Sequence, residues 1–436
     1  MSNTWNLIRP MQNLDGVIER AESLLGQSPQ NTIQLLVKGV TFPAAELDDD
    51  SRWARIFNLL STASIKLKAL DLGEALKQVA THPANPEILF TGANLLLQRE
   101  FYELAAILFK RADEHTTHDE AIVSRLVMAL EAMGRNSEAC DVLYGHAELV
   151  AGRFLPNYLL VYNSILAGNL ESARENIEDL RSENEEQQFM VSTVQRMLNR
   201  AALFMDSVPF NMSCWNFVIN KSTILLENPL LPEAMQGRFG HLHDTYAACR
   251  AGLLAFAAHL KKRNIIPGKI ASFEDHGSKS LAIAAKEMFG AELLPPDQAR
   301  QANIIICYDL SRLADEKIMA ILLQNPGIIL YSHAMHWAQD FALAPDYNGV
   351  LYQVIEPPWV GRPVLGESGD VIREDTVELS AEQVAEKIIQ AGETDAVLSP
   401  SVGLVEECRG KDISLNQQGS RERFHQGSPV KSARLQ

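Results

Sequence analysis

From residue 1 to about residue 200, apolar positions recur at three- and four-residue spacing with no strand-like alternation. That spacing predicts a succession of amphipathic helices. Beyond residue 200 the pattern changes to short apolar runs separated by helix-length segments. The runs at 269–273, 302–308, 327–331 and 349–354 predict strands, with a weak fifth at 291–294. Helices are expected over 278–289, 310–324 and 381–390, after a helical lead-in over 231–263. This alternation predicts a mostly parallel sheet with helices on both faces, Rossmann-like in outline. From residue 399 the apolar periodicity stops, and a disordered tail with an excess of basic residues is expected. The chain therefore reads as multidomain: an all-α helical-repeat solenoid over 1–200, an α/β domain over 201–398 and a tail over 399–436.

The helical half has an internal period of 34 residues. Ala105, Ala139 and Ala173 succeed one another at that interval, and Phe109, Leu143 and Ile177 each stand four residues further on. Glu100, Gly134 and Gly168 stand five residues before each alanine, at expected turns. Two antiparallel helices need a tight turn, then a small residue where they cross, then a larger one toward the next pair. The run from Asp71 to Ala75 imitates this pattern, with Gly73 read as its turn, as a divergent repeat or cap. Breaks are expected at 28–31 and 41–50.

The segments 98–105, 133–139 and 167–173 resemble the turn and second-helix start of the tetratricopeptide repeat family. The resemblance covers about 86–187. It departs from the family at Val127 and Val161, where a small residue is usual and where the first copy keeps Ala93. It implies stacked helical hairpins whose concave groove binds a protein or peptide partner.

The chain has 39 Lys and Arg against 55 Asp and Glu, a net charge of −16. Such a field repels phosphate backbones, so no nucleic-acid partner is expected. No basic segment leads into an apolar core over the first 30 residues, so no secretory signal is expected. The longest charge-free stretch, 318–339, contains Gln324-Asn325-Pro326-Gly327, His333 and His336. It reads as a buried helix, a turn and a buried strand, and no membrane insertion is expected. The five cysteines (Cys140, Cys214, Cys249, Cys307 and Cys408) lack metal or redox spacing, which points to free thiols and a cytoplasmic location.

Ligands of open α/β sheets bind beyond the C-terminal strand ends. Asp275, Gly277, Ser278, Asp309 and His333 each closely follow or end an expected strand, and are expected to converge on one ligand pocket. Gly277 would admit close backbone approach, Ser278 would offer an amide or hydroxyl, and the two aspartates would accept from ligand hydroxyls. The 274–280 loop has neither P-loop nor GxGxxG spacing. Its order of strand, acidic loop and helix has a loose likeness to S-adenosylmethionine-dependent methyltransferases, with Asp297 as the nearest candidate for a ribose contact. Trp359, on a Pro-rich loop, is expected to plug the sheet surface or to stack on a ligand. His241 and His243 lie two apart in a stretch read as helical and so share no face. His333 and His336 would share one only on a helix, and no metal site is expected. Two functions are open: a protein-interaction scaffold with a ligand-binding α/β domain, or a methyl- or glycosyltransferase using S-adenosylmethionine or a nucleotide sugar. Catalytic residues are not assigned.

Overall fold

The computed structural model describes residues 14–40, 47, 49–204, 210–228, 230, 237–313, 315–360, 363–365, 371–373, 379–392, 398–400 and 421–430. Residues 41–46 and 48 of the break expected at 41–50, the start of the lead-in at 231–236, Cys408 and most of the expected tail lie outside the described residues. The chain divides into two compact units, 1–194 and 195–436.

The first unit is helical. Its elements are α1 (Leu14–Leu24), α2 (Pro29–Gly39), α3 (Asp50–Lys66), α4 (Leu70–Thr81), α5 (Pro86–Gln98), α6 (Tyr102–Asp113), α7 (Glu120–Ala132), α8 (Asn136–Gly145), α9 (Ala147–Gly152), α10 (Phe154–Leu166) and α11 (Leu170–Ile177). A further helix, α12 (Glu185–Ala202), contains the division between the units. The first helices of three pairs begin at 86, 120 and 154, and their second helices at 102, 136 and 170. Both series keep the 34-residue interval. Each pair turns through a left-handed residue: Glu100 (φ +64°), Gly134 (φ +71°) and Gly168 (φ +82°). The next amide then bonds back to the carbonyl five residues earlier: Phe101 to Leu96 at 3.0 Å, Arg135 to Leu130 at 2.9 Å and Asn169 to Ser164 at 2.8 Å. This is the six-to-one closure that satisfies orphan carbonyls at a helix end. Ala105, Ala139 and Ala173 are fully buried at the crossings, as are Phe109 and Leu143, while Ile177 is half-buried.

One detail of the earlier pair differs from the sequence reading. The α3–α4 turn is made by Lys68 (φ +66°), with Ala69 bonding to Ser64 at 2.9 Å. Gly73 is the small residue at the crossing rather than the turn. A Cβ there would stand 2.4 Å from Ile65 Cγ1 and 3.1 Å from the Ser61 carbonyl oxygen.

Helix starts are capped in register as well. Asn85 accepts from the amides of Glu87 and Ile88, and Asp119 from those of Ala121 and Ile122. Replacing Asp119 with alanine is expected to cost about 1 kcal/mol, the usual effect of losing such a cap. Urea unfolding followed by far-ultraviolet circular dichroism measures it, and an unchanged midpoint would show that the cap contributes nothing.

The second unit opens with α13 (Met212–Asn220), β1 (Thr223–Ile224), β2 (Leu226–Glu227), β3 (Arg238–His243) and α14 (Tyr246–Lys262). It continues with β4 (Lys269–Ser272), α15 (His276–Phe289), β5 (Glu292–Leu293), β6 (Ile304–Asp309), α16 (Glu316–Gln324), β7 (Ile329–His336) and β8 (Tyr347–Glu356). The strand order is β5-β4-β6-β7-β8, and β1 and β3 pair in succession along the outer edge of β8. Every pairing in this sheet is parallel. All six residues of β6, Ile-Ile-Ile-Cys-Tyr-Asp, are buried, as a parallel strand covered on both faces requires. Two small antiparallel pairs accompany the sheet: β9 (Pro363–Leu365) with β10 (Val371–Arg373), and β2 with β11 (Ser399–Pro400). Helix α17 (Ala381–Gln390) starts with a capping box between Ser380 and Gln383. The charge-free 318–339 stretch is a helix, a turn and a strand, as its composition predicts. No helix among the described residues is long and apolar enough to cross a membrane.

Two expectations are corrected. The lead-in is not wholly helical: residues 238–243 form β3, and α14 begins only at Tyr246. Gly240 weakens the helical register there, and β8 supplies a strand partner at long range. Residues 421–430 of the expected disordered tail are ordered, because they pack within the second unit. Phe424 and Phe341 exchange backbone hydrogen bonds at 3.1 and 2.9 Å, and both Phe424 and Val430 are buried.

Candidate functional site

Consecutive strand residues face opposite sides of a sheet, so Tyr308 and Asp309 at the end of β6 cannot share a face. The structure divides the five expected ligand contacts accordingly. On the side of α14 and α15, Asp275 caps α15 by accepting from the Ser278 amide at 2.9 Å. The fully buried Ser278 hydroxyl accepts from the Tyr308 amide at 2.9 Å. Gly277 is covered: a Cβ there would lie 2.7 Å from Trp359 Cζ2 and 3.0 Å from Tyr308 Cβ. Trp359 meets Tyr308 edge-on at 4.6 Å between ring centroids. His333 stacks on Tyr308 with centroids 5.5 Å apart. Asp309 lies on the opposite face, so the expected single pocket of five residues is not formed.

His333 belongs instead to a buried polar cluster. Its Nε2 is 3.1 Å from Asp244 Oδ2, and its Nδ1 is 3.1 Å from the Tyr331 hydroxyl. The Tyr308 hydroxyl donates to Asp244 Oδ2 at 2.7 Å, and the Cys249 thiol donates to the same oxygen at 3.4 Å. The Thr245 amide donates to Asp244 Oδ1 at 2.8 Å. Burial pushes the Asp244 carboxyl up, but the charge and hydrogen bond of His333, with the hydrogen bonds of the Tyr308 hydroxyl and the Thr245 amide, hold it below its ordinary value. Burial, followed by the nearby Asp244 charge, raises the Cys249 thiol well above its ordinary value. A buried neutral thiol is a poor nucleophile. Asp244 and Cys249 both address His333 Nε2, so the trio lacks the two-ended imidazole of a relay. The arrangement satisfies a buried charge and locks α14 onto the sheet.

On the opposite face Asp309 accepts from the Tyr352 and Ser311 hydroxyls and pairs with Arg312 Nε at 3.0 Å. Burial raises its carboxyl despite these hydrogen bonds and the Arg312 charge. Tyr352 is raised as well, by burial first and then by the Asp309 charge. Parallel pairing sets His241 beside Val354 and His243 beside Glu356. On a strand, residues two apart share a face, so His241 and His243 stand side by side with ring centroids 4.5 Å apart. This reverses the expectation drawn from a helical reading. His333 and His336 are three apart on β7 and occupy opposite faces.

Sequence reasoning missed Asp244, Cys249, Tyr308 and Tyr352 as members of these clusters. The available signal was the strand-like Arg-Phe-Gly-His-Leu-His run, which places Asp244 at a strand end. Cys249 and Tyr352 are brought in only by tertiary pairing.

No family profile matches the chain, and no curated protein matches it. Among solved structures, MamA AMB-1 C2221 aligns over 38% of this chain and 94% of its own, with 20% sequence identity and a TM-score of 0.24. A likeness that slight carries no argument about this chain.

Proposed function

We propose that the chain is a protein-interaction scaffold. In this reading the tetratricopeptide-like hairpins of the first unit hold a protein or peptide, and the Rossmann-like α/β unit serves as an appended docking or ligand-binding module. The observation that carries it is the 34-residue series of hairpins with buried alanines at their crossings, an architecture whose stacking creates extended binding surfaces. The state of the α15 loop favours it over group transfer. Trp359 and Tyr308 fill the space over Gly277 that a methyl donor or sugar nucleotide would need, and Ser278 is occupied by the Tyr308 amide. Of the five expected contacts, Asp275 has an oxygen with no hydrogen-bond partner, but this Oδ2 is buried and so is closed to a ligand as well.

The test compares affinity capture by the full chain with capture by residues 1–194. The first unit is expected to retain the partners that the full chain retains. Retention of every partner by residues 195–436 alone would overturn the scaffold reading. S-adenosylmethionine and nucleotide sugars are expected to leave the melting temperature of the full chain unchanged, since a ligand that binds the native state must raise it. A saturable rise with either would favour transferase activity.

A further inference from the structure

We propose that His241, His243 and Glu356 form a binding site for a divalent transition-metal ion with Zn2+-like preferences. The site rests on the pairing of two strands. Parallel register places His243 directly beside Glu356, and the two-residue strand period brings His241 onto the same face. His243 Nδ1 is 2.7 Å from Glu356 Oε2, and His241 Nε2 is 3.8 Å from Glu356 Oε1. Each carboxylate oxygen thus faces a different imidazole, and one donor atom from each residue lies within 4.8 Å of the others.

The donor set selects the ion. Two imidazole nitrogens and one carboxylate suit zinc and its first-row neighbours, whereas magnesium and calcium favour oxygen donors. Three protein ligands leave a further position open, as in zinc sites that take water or an anionic ligand. Access is direct: the His241 and His243 side chains are 41% and 57% exposed, against 18% for Glu356. The carboxylate is therefore the fixed member, and the imidazoles are free to turn inward to the ~2.0–2.2 Å that zinc requires. His243 would ligate through deprotonated Nδ1 and leave Nε2–H to solvent.

One other trio among the described residues, Asp244, Cys249 and His333, brings potential ligands together. Its side chains are wholly buried, and its carboxylate already accepts from Tyr308, Cys249 and Thr245. A metal there would have to enter a closed core and displace those donors. The open trio at the end of β3 and β8 faces neither obstacle.

The experiment uses the full chain, stripped with chelator and titrated with Zn2+ and separately with Co2+. One equivalent of Zn2+ per chain is expected. The Co2+ form is expected to show visible ligand-field bands without a thiolate-to-cobalt charge-transfer band. His241→Asn, His243→Asn and Glu356→Gln should each weaken Zn2+ binding by more than about tenfold, at least the lower end of what losing even a supporting partner costs. Cys249→Ala should leave binding unchanged. An absence of stoichiometric binding to the unmodified chain would overturn the proposal. So would a thiolate band, or loss of the ion on replacing Cys249 but not His243. The cobalt spectrum identifies the ligand class without any variant, so a folding defect in a variant leaves the test intact.

Discussion

Replacing Glu422 with glutamine is expected to destabilise the second unit by about 3–5 kcal/mol, the range measured when one member of a buried ion pair is removed. Glu422 belongs to the ordered end segment and is separated by more than 220 residues from its partners on α12. Arg196 Nε reaches Oε1 at 2.7 Å, and Arg200 Nη1 reaches the same oxygen at 3.0 Å. The Arg200 side chain is wholly buried and that of Glu422 is 10% exposed, so solvent cannot replace the lost carboxylate charge. Arg200 also donates to the carbonyls of Val218 and Ile219, which fixes its position and prevents it from swinging outward. Burial alone would raise the Glu422 carboxyl, but the Arg200 charge and the Arg196 hydrogen bond hold it below its ordinary value. A depressed folded value means that the contribution is fully present above the unfolded value of about 4.3 and is lost as pH falls through the folded value. The glutamine variant should therefore lose most at neutral pH and converge on the unmodified protein in acid. Urea unfolding at several pH values, read by tryptophan fluorescence, checks both points. A loss below about 1 kcal/mol at pH 7 would mean that the segment is held by Phe424 and backbone bonds instead.

The same segment shows where a sequence stops being informative. Nothing local in Arg-Glu-Arg-Phe-His marks it as structured, since its partners include Arg196, Arg200, Asn220, Phe341 and Asp346. By contrast, the hairpins were legible because each is specified within one 34-residue unit: a left-handed turn, a small residue at the crossing and a larger apolar residue four positions further on. The central strands were legible because a parallel strand buried on both faces is continuously apolar, as Ile304–Asp309 is over its first four residues. Edge strand β3 was not. It is half-exposed, interrupted by Gly240, and followed within three residues by a long Ala- and Leu-rich helix that dominates any averaging window. Misreading it hid the shared face of His241 and His243. The pocket expected around Asp275 and His333 failed for a different reason. Topology places strand ends on one edge, but the two-residue period then sends neighbouring side chains to opposite faces. Only the exact strand register tells which face each takes.

That register makes Gly349 the position where the smallest change is expected to do the most damage to the α/β core. Gly349 lies in β8 beside His333 of β7. A Cβ there would stand 2.3 Å from the His333 carbonyl oxygen, 3.0 Å from its carbonyl carbon and 3.0 Å from its Nδ1. The first two are backbone atoms, so no side-chain rotation relieves the clash, and β7 must move. Overpacking of a dense core costs typically 1–3 kcal/mol and occasionally more. Gly349→Ala is expected at or above the upper end, about 3 kcal/mol. Moving His333 also disturbs its contacts with Asp244, Tyr331 and Cys249, so the damage should spread into the buried polar cluster. Cys249 is fully buried in the native fold, and the other described cysteines are buried as well, which gives a second readout. Labelling of Cys249 in native buffer should be slow in the unmodified chain, and mass spectrometry should find Cys249 labelled markedly faster in the variant. The control is Gly268→Ala, where an added Cβ meets nothing within 4 Å and the change is expected to stay within about 0.5 kcal/mol. Both substitutions add one methyl group to a glycine of the same unit, so an equal effect at the two positions would contradict the close approach of β7 and β8 at His333. A large loss at Gly349 with no faster labelling of Cys249 would place the strain in the strands and leave the Asp244 cluster intact.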